Sequence, residues 1–292
     1  MPTAQINGTQ IYYETHGSGF PLVFAHGGFG GLGTGAGGNI PAWVERFAPH
    51  FQVILPDRRS SGRSGFPDVP HTMSLFASDI RELLRHLGHD RAFVWGTSAG
   101  GPIATTFGLE HPDACAGLVI AETAPWLSQD PDLRSKLRDR IEVLSTKGVD
   151  AAYEARREGG TVGLNLFAAA RPAQSEEEQR QRDERRAAIQ AQLSAIPREE
   201  RIYKYGSELR TYAAHLDFDA TSRFHELKMP VLVIYGTADT VYPNVEWTKL
   251  AKGMPNVDVR LFEGQEHGAA SNTPEGEAAI LDFLRKHTPV TA

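Results

Sequence analysis

A serine stands between two glycines in the stretch Gly96-Thr97-Ser98-Ala99-Gly100. The apolar run "AFVW" precedes it and "GGPIATTF" follows it, a pattern that predicts a strand, a sharp turn and a helix. On such a turn the residues two before and two after the exposed side chain must be small, as both glycines are. A hydroxyl presented in this way can attack a carbonyl carbon. Ser98 is therefore the candidate nucleophile, and the alternative is a serine that only caps a helix.

A serine hydroxyl needs a base, and the base needs a carboxylate to orient it. His267 lies in "GQEHG" after the predicted strand "VDVRLF", and Asp239 lies in "GTAD" after the predicted strand "PVLVIY". Their order along the chain is nucleophile, acid, base. Glu122 also ends a predicted strand, "GLVIAE", and is a second candidate for the acid. The pattern predicts a triad of Ser98, Asp239 and His267, with Glu122 as the alternative acid.

Attack on a carbonyl also requires hydrogen-bond donors for the negative charge that develops on its oxygen. The backbone N–H of Ala99 is one candidate, because it directly follows the nucleophile. The second donor is expected in "HGGFG", the loop after the predicted strand "LVFA". Gly28 is the first choice there and Phe29 is the alternative.

The same loop contains G-x-G-x-x-G at residues 28–33, a pattern typical of dinucleotide binding. That function requires a helix to begin directly after the last glycine. Here glycines continue to Gly38, and no helix is expected before Pro41. We therefore expect no cofactor, and we expect residues 31–38 to form a flexible lip over the pocket.

The remaining pattern predicts the elements that must bring these groups together. Asn7-Gly8 between two β-prone runs predicts an N-terminal hairpin. Apolar strands then alternate with helices, among them an amphipathic helix over residues 73–87 and a last helix from Pro274. This alternation predicts an α/β fold, with a mostly parallel sheet covered by helices on both faces.

The alternation stops over residues 127–225, which are rich in Arg, Glu, Gln and Ala and contain no convincing strand. We expect this segment to be a helical cap, inserted into a core that comprises residues 1–126 and 226–292. Three aromatic residues in or beside it are candidates for the substrate pocket: Trp126, Phe167 and Tyr203.

Composition argues against several function classes. The 292-residue chain has a net charge of −6 and no block of Lys and Arg, which argues against nucleic-acid binding. It has no apolar run long enough for a membrane span and no N-terminal export signal, so we expect a cytoplasmic protein. The single cysteine, Cys115, is expected to be a small buried residue. We expect a small-molecule substrate and no metal, and the oligomeric state stays open.

These motifs together resemble those of the α/β-hydrolase superfamily. Four agree in order and position: "HGGFG" (26–30), "DRRSSGRS" (57–64), "GTSAGG" (96–101) and the pair "GTAD" (236–239) and "GQEHG" (264–268). The second is similar to the D-x-R-G-x-G-x-S turn of a group that includes proline iminopeptidases, lactonases, esterases and cofactor-free haloperoxidase-like enzymes. Ser60 stands where that group usually has glycine.

The resemblance implies a serine hydrolase that cleaves a carboxylic ester or lactone through an acyl-enzyme. "HGGFG" is similar to the H-G-G-P-G of proline iminopeptidases, with Phe29 in place of proline. Haloalkane dehalogenases and epoxide hydrolases have an aspartate at the position of Ser98, which argues against both activities. The alternatives are an aminopeptidase or C–C bond hydrolase with the same triad, a cofactor-free oxygenase, or a small-molecule receptor of the same fold.

Overall fold

The computed structural model describes residues 2–29, 43–158, 175–177, 179–181, 183–184, 187 and 195–289. Its strands are β1 (Thr3–Ile6), β2 (Thr9–His16), β3 (Phe20–Ala25), β4 (Phe51–Pro56), β5 (Ala92–Thr97), β6 (Cys115–Ala121), β7 (Val231–Gly236) and β8 (Val257–Phe262). They form one sheet in the order β1-β2-β4-β3-β5-β6-β7-β8. The first two strands pair antiparallel to their neighbours, and the pairs from β4 to β8 are parallel.

The described helices are α1 (Val44–Phe47), α2 (Met73–His86), α3 (Gly100–Glu110), α4 (Pro131–Glu158), α5 (Arg198–Leu216), α6 (Trp247–Leu250) and α7 (Pro274–His287). They cover both faces of the sheet. Along β5, Phe93 and Trp95 belong to the apolar cluster that contains α7, whereas Val94 belongs to the cluster that contains α2. Successive strand residues point to opposite faces, so each strand contributes to both clusters. The predicted α/β fold is confirmed.

The N-terminal hairpin forms where the sequence predicts it. Asn7 and Gly8 have φ angles of 44° and 77°, the left-handed backbone that a tight hairpin turn requires. The side-chain amide of Asn7 donates to Asp79 of α2 at 2.9 Å, and the same carboxylate forms a buried ion pair with Arg59 at 2.5 Å. The hairpin is thereby fixed to α2.

The turn of residues 57–64 shows what Ser60 contributes at a position where the similar turns usually have glycine. Ser60 has a φ of 61°, a left-handed conformation in which glycine is unstrained. Its buried hydroxyl lies 2.7 Å from Nε2 of His71, a contact that glycine could not make. The hydrogen bond offsets part of the backbone strain.

Between β6 and β7 the described residues are mainly helical, and Gly148, with φ 83° and ψ 174°, marks a kink within α4. Helices α4 and α5 pack on each other through an apolar cluster that includes Leu137 and Leu209. The two ends of this segment meet, because Trp126 pairs with Asp219 and the N–H of Ala220 donates to the Pro125 carbonyl at 2.8 Å. The division into a core and a cap stays a prediction. Within the described ranges, no helix has the length and apolar character that crossing a membrane would need.

Candidate active site

Ser98 lies on the turn between β5 and α3 with a φ of 50°, a strained conformation for a residue with a side chain. The turn has no space for larger neighbours. A Cβ on Gly100 would lie 1.9 Å from the carbonyl oxygen of Ala25, and one on Gly96 would lie 2.4 Å from the carbonyl oxygen of Gly100. The two glycines therefore have the steric role that the sequence predicts for them.

The structure brings Ser98, His267 and Asp239 together. Nε2 of His267 lies 3.1 Å from Oγ of Ser98, and Nδ1 lies 2.8 Å from Oδ2 of Asp239. The carboxylate can only accept, so Nδ1 carries the ring proton and Nε2 is free to take the serine proton. The other oxygen of Asp239 accepts from the N–H groups of Val241 and Tyr242 at 2.8 and 2.9 Å. These two bonds hold the fully buried carboxylate in position toward the imidazole.

Glu122 contacts the segment after β8 at Ser271, beyond His267. Its buried carboxylate accepts from the N–H and hydroxyl of Ser271 at 2.9 and 3.0 Å, and from the hydroxyl of Thr97 at 3.2 Å. The imidazole of His267 is bonded to Asp239 instead. The geometry thus favours Asp239 as the acid and gives Glu122 the role of fixing the chain that follows His267.

The peptide between Ser98 and Ala99 is fixed through its carbonyl group. The Ser98 carbonyl accepts from the Thr123 hydroxyl at 2.8 Å and from the N–H of Gly101 at 2.9 Å. A trans peptide directs its C=O and N–H in opposite directions, and no cis peptide occurs among the described residues. The N–H of Ala99 therefore points away from these anchors.

The loop of residues 26–29 lies directly against the nucleophile. A Cβ on Gly27 would lie 3.1 Å from Cβ of Ser98, so the backbone approaches the serine closely. Nε2 of His26 accepts from the N–H of Arg58 at 3.1 Å, which leaves the ring proton on Nδ1 for the Gly27 carbonyl at 2.8 Å. Burial, followed by the charge of Arg58, lowers the pKa of His26 to about 3, and the ring is neutral. The Gly27 carbonyl is thus fixed, and the N–H of Gly28 points the opposite way.

Helix α5 contacts the loop of residues 26–29. The ring of Phe29 stacks on Tyr212 with 4.0 Å between centroids and meets the edge of His215 at 4.9 Å. Nε2 of His215 lies 2.9 Å from the carbonyl oxygen of Ala99. Tyr212 and His215 contact the predicted oxyanion residues but were not singled out from the sequence, because α5 carries no motif.

The predicted pocket aromatics have different positions. Trp126 is half-buried at the start of the segment between β6 and β7. Tyr203 is 45% exposed, and its ring lies 6.3 Å from that of Phe66, so the structure does not bring it to Ser98. Phe167 and the predicted lip of residues 31–38 lie outside the described residues. An aromatic residue that the sequence reasoning missed, Tyr242, has its ring 5.8 Å from that of His267.

Two further expectations concern metals and the cysteine. In the part of the chain that the structure describes, no group of three or more His, Cys, Asp or Glu side chains could hold a metal ion. Cys115 is fully buried, and burial raises the pKa of its thiol to about 12. It is thus a small buried residue, as expected.

A mostly parallel sheet with a serine, a histidine and an acid after its strands defines the class of α/β hydrolases. The model of the alpha/beta hydrolase fold family matches residues 21–271, and the chain belongs to this family. It is 29% identical over 295 residues to "Putative carbamate hydrolase RutD" of Caulobacter sp. (strain K31), covering 97% of this chain and 98% of that protein.

Solved structures share the fold. MGS-M2, an alpha/beta hydrolase enzyme from a Medee basin deep-sea metagenome library, aligns with a TM-score of 0.74 and 21% identity over 100% of this chain and 99% of that one. The enol-lactonase from Burkholderia xenovorans LB400 aligns with a TM-score of 0.65 and 22% identity, covering 97% of this chain and 100% of the other.

Proposed function

We propose that this protein is a serine hydrolase that cleaves a small carboxylic ester or lactone through an acyl-enzyme. The observation that supports the proposal is the continuous hydrogen-bonded chain from Asp239 through His267 to the hydroxyl of Ser98. A serine on a strained turn with an imidazole nitrogen 3.1 Å from its oxygen is arranged for general-base activation.

In the proposed reaction, Ser98 attacks the substrate carbonyl while His267 takes the serine proton. Asp239 keeps the imidazole in the required tautomer and stabilises the imidazolium that forms. The backbone N–H groups of Ala99 and Gly28 bind the negative oxygen of the tetrahedral intermediate. His267 then returns the proton to the leaving oxygen, and water attacks the acyl-enzyme by the same steps.

The comparisons support an acyl substrate of this kind. The names of two similar proteins refer to a carbamate and an enol-lactone, and both groups have a carbonyl carbon bonded to a heteroatom that can leave. Hydrolysis of a carbamate is the second candidate, because the match to the protein with that name extends over nearly the whole of both chains.

We further propose that α4 and α5 cover the site as a cap, since two residues of α5 contact Phe29 and Ala99, the residues proposed to bind the oxyanion or to stand beside it. The ring of Tyr212 stacks on Phe29, and His215 approaches the carbonyl of Ala99. A cap in this position would determine which acyl groups can enter.

A fluorophosphonate probe tests the chemistry without knowledge of the natural substrate. We expect rapid, stoichiometric labelling of the wild type and none of Ser98→Ala. Ser145→Ala, at an exposed serine of α4, is the matched control and should label normally. The same variants are then assayed on short-chain 4-nitrophenyl esters, lactones and aryl carbamates. If Ser98→Ala retains most of the activity, or the wild type binds ligands without being labelled, the proposal is wrong.

A further inference from the structure

The buried guanidinium of Arg58 has no carboxylate partner among the described residues. Arg58 is only 9% exposed, and burial lowers its pKa to about 10, so it remains charged at neutral pH. The adjacent Arg59 is the opposite case, because both of its bonds to Asp79, at 2.5 and 2.6 Å, are charge-assisted. A buried charge without a counterion costs folding free energy, so its presence requires a reason.

Arg58 is bonded to backbone carbonyls of the 26–29 loop instead. One terminal nitrogen donates to the Gly28 carbonyl at 2.7 Å, and the other donates to the His26 carbonyl at 3.4 Å. The guanidinium carbon lies 5.6 Å from the centre of the Phe76 ring, which covers one face of the cation.

The strand order places the loop between this cation and the nucleophile. Strand β3 lies between β4 and β5, so the loop that follows β3 has Arg58 on its β4 side and Ser98 on its β5 side. The Gly28 carbonyl points to Arg58. Because the peptide that follows is planar and trans, the N–H of Phe29 points away from Arg58.

A cation on a peptide carbonyl has two effects on the N–H of the same peptide. It fixes the direction of the N–H, and it polarises the peptide so that the N–H becomes a stronger donor. The positive charge also acts directly on any negative charge beyond the loop, and weak screening in the buried site preserves this effect.

We propose that Arg58 is a positioning residue of the oxyanion site, which holds the peptide between Gly28 and Phe29 so that the Phe29 N–H binds the developing oxyanion. Its unneutralised charge favours the anionic tetrahedral state over the neutral substrate. This inference rests on the proposed function, because it requires an oxyanion to form at Ser98. It also makes Phe29, the alternative in the sequence-based prediction, a donor together with Gly28.

The test compares Arg58→Met and Arg58→Lys with Arg59→Met as the neighbouring control. We measure kcat and KM on a 4-nitrophenyl ester, the inhibition constant of phenylboronic acid, and the thermal midpoint. Phenylboronic acid forms a tetrahedral anion on the serine and so reports on the oxyanion site directly.

For Arg58→Met we expect kcat to fall by about tenfold to a hundredfold and boronate affinity to fall by about the same factor, with KM changed less than about threefold. Its thermal midpoint should stay equal or rise, because an unpaired buried charge is removed. Arg58→Lys keeps the charge and should recover at least part of both losses. Arg59→Met should lower the thermal midpoint, because it leaves Asp79 buried without its partner, but keep kcat and boronate affinity within about threefold.

Two results would overturn the inference. The first is an Arg58→Met variant that keeps kcat and boronate affinity within about threefold of the wild type. The second is a loss that accompanies a lowered thermal midpoint and is matched by Arg59→Met, which would make Arg58 a structural residue. If Arg58→Met does not fold, Arg58→Lys decides, since full loss of boronate affinity in a folded lysine variant excludes the charge effect. Absence of fluorophosphonate labelling in the wild type would instead refute the proposed function.

Discussion

Acidification is expected to unfold this protein through three histidines that are buried in the neutral form. His26, His71 and His215 are each at most 5% exposed. Burial, reinforced by the charge of a nearby arginine, lowers the pKa of His26 to about 3 and the pKa values of His71 and His215 to about 4. The arginine is Arg58 for His26 and His215, and Arg59 for His71.

The free energy of unfolding falls as the pH falls because the unfolded state binds protons to these histidines more readily than the folded state does. In the unfolded chain these rings are solvated and titrate near the ordinary histidine pKa of 6.5. The stabilising contribution is therefore complete above pH 6.5 and is lost as the pH falls from 6.5 toward the folded-state values of about 4 and about 3.

The folded and unfolded pKa values of these histidines determine how much free energy of unfolding is lost. Relative to pH 8, each histidine lowers the free energy of unfolding by about 2 kcal/mol at pH 5, so the three together lower it by about 6 kcal/mol. Burial raises the pKa values of Asp57 and Asp79, which has the opposite sign and makes the measured loss smaller. A loss of this order approaches the whole stability of a typical domain, about 5–15 kcal/mol.

Urea unfolding followed by tryptophan fluorescence at pH 8, 7, 6 and 5 measures this directly. His71→Gln is the informative variant, because its amide can take the place of Nε2 beside Ser60 but cannot take up a proton; it should remove about 2 kcal/mol of the difference between pH 8 and pH 5. His225→Gln, at an exposed position, is the matched control and should leave the difference unchanged. A wild-type difference below about 1 kcal/mol, or equal differences in wild type and His71→Gln, would refute the reasoning.

Three further substitutions test the site. Asp239→Asn is expected to lower kcat/KM by about a thousandfold or more, because the amide cannot stabilise the imidazolium. Glu122→Gln, whose side chain holds Ser271, should stay within about tenfold in the same ester assay, and equal losses would contradict the choice of acid. Gly100→Ala is expected to prevent folding, since the new Cβ would lie 1.9 Å from the Ala25 carbonyl oxygen. Soluble yield and circular dichroism test this, and a folded, active variant would show that the turn can widen.

The positions of the three triad candidates could be predicted because each follows a strand that the sequence predicts. In a parallel sheet the carboxyl ends of the strands meet at one edge, so residues far apart in sequence come together there. Ser98 and His267 are 169 positions apart, yet their polar atoms lie 3.1 Å apart. The choice between Asp239 and Glu122 could not be made in this way, since both follow strands. It depends on the course of the loop after β8, which presents His267 to one carboxylate and Ser271 to the other.

The residues between β6 and β7 that contact the site could not be predicted with the same success. Their positions depend on how α5 lies over the sheet, and this orientation is determined by tertiary packing that leaves no local periodic signal. Tyr203 and Tyr212 are both aromatic residues of α5, but Tyr203 is 45% exposed whereas Tyr212 is buried against Phe29. Sequence alone did not distinguish the two.

The glycines after β3 show why a spacing pattern cannot define a binding site by itself. Gly27 is required by the close approach of Ser98, and Gly28 has a φ of 73°, which a side chain would strain. Both requirements would also hold in a loop that binds a dinucleotide. The difference lies in the groups on either side of the backbone. A dinucleotide loop presents the N-terminus of a helix to its ligand, whereas this loop has a serine hydroxyl on one side and a buried guanidinium on its carbonyls on the other. That combination is suited to a negative charge that appears on the serine side only during the reaction.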